Sequence, residues 1–236
     1  MAKLPVLDMP TFEIKLLSVA NPVRFRQFTV REEKIFLIAE ESGEEREVIN
    51  ALGQVLQNCC ISDINVSTLP LFDVEYFFLQ LRARSVNNVS NLRYRDKEDG
   101  IVRDFDVDLD TIVPAFNPEQ KKSFQISDKI AISLNFPTLE TLLTINKLNV
   151  TNVDSAIEMV AACIDVIVDG EETYIGADFS QEEKVEFINN LNSKQYEEIV
   201  NDFLDKMPKL TYDIKYVNEK GNNRLIKLEG YRDFFQ

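Results

Sequence analysis

The sequence predicts an α+β fold in which amphipathic helices combine with two or more antiparallel β-ribbons, as one large domain or two interlocked ones. Three observations lead there. Val48, Ile49, Leu52, Val55, Leu56 and Cys59 recur at helical spacing, as do Tyr196, Ile199, Val200, Phe203, Leu204 and Met207. Residues 101–109 and 210–216 instead alternate apolar with polar, the period of a strand with one covered face. Cap and turn residues punctuate the stretches between them, so the periodic segments are separate elements.

From the start, Pro5, Pro10 and Pro22 among scattered apolar residues read as an extended N-terminal arm over 1–28 with at most one short strand. Such an arm packs across its own domain or reaches a partner. Thr29 followed by Glu32 has the spacing of a capping box, opening a helix that Gly43 can stop near Ser42. The stripe of 48–59 makes the second helix, with Leu52 and Leu56 as core residues and Cys59 as a small buried hydrophobe. Pro70 can sit in the first turn of a third helix that runs through Leu71, Val74, Phe77, Phe78 and Leu81 to Arg82 and Arg84. Its other side carries Phe72, Tyr76 and Leu79. A helix apolar on two sides is either central in its domain or covered by another chain.

After Ser85 the period changes. Leu92 and Tyr94 lead to a turn at 97–100, and Ile101, Arg103, Phe105, Val107 and Leu109 then alternate with Val102, Asp104, Asp106, Asp108 and Asp110. This is a β-ribbon with an acidic outer face. It lacks the glycine and terminal glutamate of a calcium loop, so no ion site is expected there. The domain reading is therefore 29–113 as helices followed by a ribbon and 114–236 as an α+β segment, with the boundary near 114–124.

Ile130, Ile132, Leu134 and Phe136 suggest a strand ended by Pro137, followed by a short helix over 138–147. Asp154 can cap a further helix through Cys163. Residues 164–168 are too short and apolar to assign by period, and Gly170 and Gly176 bracket a loop or hairpin. Ser180 and Glu183 form a second capping box, and the helices on either side of 189–193 are expected to pack as a helical hairpin, with Phe203 and Leu204 in its core. Leu210, Tyr212, Ile214 and Tyr216, a turn at Gly221 and a return over 225–228 make a C-terminal ribbon. The closing aromatics, Phe234 and Phe235 among them, must dock on something.

Composition excludes several functions. The chain of 236 residues carries 40 acidic against 26 basic residues, a formal charge of -14, which opposes nucleic acid and anionic lipid as partners. No apolar run is long enough to cross a bilayer, and no secretory leader pattern opens the sequence. The absence of histidine removes Ser-His-Asp and Cys-His nucleophile systems and histidine metal ligands. Three cysteines, two of them adjacent, offer no zinc spacing and no disulfide framework. Phosphate-binding glycine loops are missing as well. No catalytic residue, metal ligand or cofactor is assigned. Only carboxylate chemistry survives in principle, and a carboxylate-dependent hydrolase is the remote alternative.

Phe28 to Lys34, the helix ending Asn58-Cys59-Cys60, the run Leu69-Pro70-Leu71-Phe72-Asp73-Val74-Glu75-Tyr76-Phe77-Phe78-Leu79-Gln80-Leu81-Arg82, the tetrad Met207-Pro208-Lys209-Leu210 and the ending Leu228 to Phe235 together resemble the baseplate hub assembly family of T-even-like contractile-tailed phages. Their order and spacing are more specific than any one block. The resemblance implies a non-enzymatic assembly chaperone for the baseplate hub, expressed late and acting in the host cytoplasm on other hub proteins. A stoichiometric hub subunit located in the virion baseplate is the alternative, and homo-oligomerisation stays open. Some relatives carry cysteine-rich turns in their ribbons; here the turns at 97–100 and 218–222 contain no cysteine, so no metal knuckle carries over. For recognition the expected contact residues are Phe72, Tyr76, Phe234 and Phe235, while Phe77, Phe78 and Leu81 hold the third helix in place.

Overall fold

The computed structural model describes residues 8–145 and 152–234. The N-terminal stretch is a hairpin, because β1 (Thr11–Ile14) pairs antiparallel with β2 (Val23–Arg26). Ile14, Leu16, Val23 and Phe25 are buried in the main core, so this segment packs across its own fold. Two strands replace the single one expected; the short strands have too few alternations to stand out among prolines.

Three helices follow. In α1 (Val30–Ser42) the Thr29 and Glu32 box forms as read, and Gly43 closes the helix at φ 70°. Glu32 is nearly inaccessible and takes hydrogen bonds from the Thr29 amide at 2.8 Å and from Arg26 at 2.9 Å. Burial alone pushes its carboxyl up, but the hydrogen bonds from Arg26 and from the Thr29 hydroxyl and amide outweigh burial and bring it from 4.5 down to about 2. A depressed folded pKa stabilises above the unfolded value. We expect this contribution to be complete above pH 4.5 and to fade as the pH falls toward about 2. Acid unfolding of Glu32→Gln checks it: the variant should show a flatter loss of stability across that window, and an unchanged acid limb would refute it.

The second helix, α2 (Glu45–Cys59), buries its stripe from Ile49 to Cys59, with Leu56 and Val55 inaccessible. Pro70 lies outside α3 (Leu71–Ser85) as its N-cap, whereas the sequence suggests a place in the first turn. The missing N–H is harmless at either position, so the sequence signal is degenerate by one residue.

Strands β3 (Val89–Arg95) and β4 (Val102–Asp108) form the first ribbon, with Asp104, Asp106 and Asp108 exposed and Val107 buried. A four-stranded sheet comes next, in the order β5 (Ser123–Gln125), β6 (Ile130–Leu134), β7 (Ile164–Asp169), β8 (Glu172–Ile175), all antiparallel. The unassigned apolar run of 164–168 is thus β7, the inner strand between β6 and β8. Between β6 and β7 lie α4 (Leu139–Ile145) and α5 (Val153–Ala162). The cap of α5 is Asn152, which forms a box with Ser155, in place of Asp154.

Ser180 and Glu183 box the start of α6 (Gln181–Asn189), and Asn192 with Gln195 does the same for α7 (Ser193–Ile199). The main packing of α6 is along α5, and both α6 and the segment 193–204 feed the larger apolar cluster through Ile188, Ile199, Phe203 and Leu204. A wide π-helical turn over 200–204 extends α7, and the loop before β5 reaches it, since the Lys121 amide donates to the Asp202 carbonyl at 2.9 Å. The last strands, β9 (Thr211–Val217) and β10 (Asn223–Glu229), form the second ribbon.

Two apolar clusters hold these elements. The larger takes the N-terminal hairpin, α2, the sheet, α5 and the turn after α7, and contains Leu52, Leu56, Leu81, Phe203 and Leu204. The smaller joins the ribbons and contains Val107, Leu109, Leu210, Ile214, Leu228 and Phe234. Each draws on residues from both sides of 114–124. Helix α3 serves both, giving Val74, Phe77 and Leu81 to one and Leu79 and Ala83 to the other. That double duty is why it is apolar on two sides.

Candidate functional site

Because α3 stands between the clusters, its N-terminal half faces the seam where the two parts of the chain meet. Phe72 lies there, packed edge-on against Phe136 with ring centroids 5.2 Å apart and against Phe116 at 6.0 Å. Phe136 in turn stacks on Phe203, and Lys122 Nζ sits 4.7 Å from its ring. A cleft of about 390 Å³ opens beside this aromatic row, lined by Phe72, Glu75, Met159, Leu204, Met207 and Glu229 among others. Lys209, also in the lining, pairs through Nζ with Glu229 Oε1 at 2.6 Å. Gly230 follows with φ 76°, a left-handed conformation that a side chain disfavours, and its amide donates to the Leu210 carbonyl at 2.9 Å. Three stretches far apart in sequence, 71–75, 207–209 and 229–230, therefore converge on one cleft.

Burial sorts the expected contact residues. Phe72 is 4% exposed, which corrects its expected role as an outward contact: it is an internal ring that shapes the cleft wall. Phe234 is fully buried in the smaller cluster, and its carbonyl accepts from the Ser90 hydroxyl, so it too is an anchor within the chain. Phe235 lies outside the described residues. Tyr76 is half-buried and touches both clusters, and burial foremost, with Asp110 nearby, raises its hydroxyl pKa. The assignment within the helix is thus partly reversed, because Phe78 is only half-buried, packing at 5.4 Å against Phe36, whereas Phe77 and Leu81 are inaccessible. Helical spacing separates two faces but does not say which one a partner element covers. Sequence reasoning missed Phe116, which is 51% exposed beside Phe72; a lone aromatic in a non-periodic loop gives no signal.

A second convergence joins the ribbon turns. Tyr216 donates to Asp96 Oδ2 at 2.7 Å, and Asn218 and Asn222 donate to the two oxygens of Glu98 at 2.7 and 2.6 Å. Arg224 Nε is 3.3 Å from Asp96, Arg103 pairs with Asp99 at 2.6 Å, and the Arg103 guanidinium lies over the Tyr216 ring. The carboxyl of Asp96 is held low by the Glu98 amide foremost and then by Tyr216 and Arg224, and that of Asp99 by Arg103 foremost and then by backbone amides. A general acid needs the opposite shift. This acidic cluster clasps one ribbon to the other. Among the described residues no group of three metal-binding side chains occurs. Burial pushes the Cys59 and Cys163 thiols up to about 11 and about 12, leaving them protonated. No helix among the described residues is long and apolar enough to cross a membrane.

The family model described as "T4 bacteriophage base plate protein" matches residues 9–236, nearly the whole chain. No curated protein and no solved structure matches it.

Proposed function

The chain belongs to the T4 bacteriophage base plate protein family, and from that premise we propose that it is a non-enzymatic assembly factor for the baseplate hub, which holds another hub protein through the cleft beside α3. The observation that carries this reading is the convergence of residues 71–75, 207–209 and 229–230 around one half-open cleft. Aromatic rings with a supporting core behind them make good anchor points, since the wall is already ordered before a partner arrives. An excess of 14 negative charges suits a partner with a basic face and speeds their encounter.

Tagged protein captured from infected cells, set against the protein inventory of purified tails, tests the role. A chaperone is recovered with hub intermediates and is missing from finished tails; recovery in both at fixed stoichiometry identifies a structural subunit. For the cleft, we expect Met207→Ala, at a half-buried lining residue, and Phe116→Ala, at the exposed ring packed on the lining residue Phe72, to lower capture of the hub partner. Phe116→Ala should do so with stability changed by no more than about 0.5 kcal/mol, as for other exposed positions. Undiminished capture by both folded variants would remove the α3 cleft as the contact.

A further inference from the structure

Strand β8 ends the four-stranded sheet, and among the described residues no strand pairs with its second backbone edge. The register identifies which groups lie on that edge. Asp169 pairs with Glu172 across the two-residue turn at Gly170 and Glu171, and in such a hairpin the closing residues exchange both hydrogen bonds. The Gly170 amide turns the other way, donating to the Lys129 carbonyl at 3.0 Å on the β6 side. Glu172 and Tyr174 therefore bond to β7, and the N–H and C=O groups of Thr173 and Ile175 point outward. All four residues of β8 are exposed, with Ile175 at 54%. The strand is short and carries Glu172, but it has no lysine, proline or bulge to block the edge against a cationic segment.

Beside this edge lies a cleft of about 370 Å³ between the sheet and α6, its wall made by Ile130, Ile164, Ile167, Tyr174, Phe179 and Phe187. Tyr174 and Phe179, both in this wall, have ring centroids 6.1 Å apart. The charged residues of the cleft's lining are Asp169, Glu183 and Lys184, and Glu171 and Glu172 add two carboxylates on the turn and strand of the edge itself; none of these four acids forms a salt bridge among the described residues. Free backbone groups, an apolar trough for alternate side chains and a border in which four carboxylates outnumber the single Lys184 ammonium suit strand addition by a cationic segment.

We propose that β8 is a docking edge that receives an extended segment of a partner chain, alternating apolar residues with lysine or arginine, as a fifth strand of the sheet. The acidic border disfavours a second copy of this chain, whose own edge would bring Glu171 and Glu172 toward the same carboxylates. The surface shares no lining residue with the α3 cleft, so either can fail without the other.

The probe is the heptapeptide Val-Lys-Val-Lys-Val-Lys-Val titrated into the full chain, with the same peptide carrying Glu for Lys as its control, read by amide spectra and hydrogen exchange. The lysine peptide should protect the Thr173 and Ile175 amides and bind at least about tenfold more tightly than the control. Ile175 has φ −84°, close to the proline range, and its N–H is not used by β7, so Ile175→Pro should keep the hairpin and weaken the lysine peptide by about tenfold. Glu171→Lys with Glu172→Lys leaves the backbone intact and should weaken it as well. Equal binding of the two peptides, unchanged binding by Ile175→Pro, protection confined to other amides, or no binding at millimolar peptide would each overturn the proposal. Self-association without peptide, abolished by Ile175→Pro, would overturn it in favour of a second copy.

Discussion

Phe203→Ala is expected to cost about 3–5 kcal/mol of folding stability, a large share of what holds a domain together. Phe203 is fully buried in the wide turn after α7 and stacks on Phe136 at 6.1 Å with ring planes 10° apart. Its removal leaves a void that the neighbours cannot easily fill, because Phe136 is held from the other side by Phe72 at 5.2 Å. The backbone around it is fixed too: the Lys121 amide donates to the Asp202 carbonyl, and Lys121 and Lys206 both pair with the Asp202 carboxylate, at 2.6 and 2.7 Å. Urea unfolding should show a lower midpoint with an unchanged slope. A loss below about 1 kcal/mol would mean that the aromatic row collapses into the void and is not the rigid wall described for the cleft.

The second large effect is expected at Asp73. Its side chain is inaccessible, and its two oxygens accept from the Leu17 and Ser18 amides at 2.8 and 2.7 Å. These bonds tie the segment after β1 to α3, beside Leu16, which is 1% exposed. Asp73→Ala removes two charge-assisted hydrogen bonds from a fully buried carboxylate to the half-buried Leu17 and exposed Ser18, at a cost of about 2–3 kcal/mol. Asp73→Asn keeps one acceptor oxygen and should fall between the alanine variant and the native protein. Hydrogen exchange at Leu17 and Ser18 distinguishes local release from general unfolding. Equal destabilisation by both variants, with both amides still protected, would show that Asp73 does not hold this segment.

Much of the secondary structure is written in local signals. The Thr29 and Ser180 boxes, the stop at Gly43, the stripe of α2 and the alternation of β4 depend on residues within a few positions of each other, and all five form as read. Strand β7 and the N-terminal hairpin do not announce themselves in this way. A continuous apolar run reads the same for an inner strand as for a buried helix turn, and strands of four residues have too little period to measure. The family is legible through the order of its blocks, and the match over 9–236 agrees with that reading.

What the sequence alone determined is the α+β class, the caps, the ribbon faces and the lack of histidine chemistry, because each follows from residue type and short spacing. The tertiary structure decided which of the apolar faces are covered. Phe72 and Tyr76 share one helix face by spacing, yet Phe72 is enclosed by Phe116 and Phe136 while Tyr76 stays half-open between two clusters. Those neighbours lie 40 or more positions along the chain from Phe72, and a helical period reports only on the helix that carries it. The ribbon clasp has the same origin, since Asp96 meets Tyr216 across 120 positions and neither turn hints at the other. Long-range pairings of this kind are fixed by which surfaces fit once the elements exist, and that is a property of the packed chain.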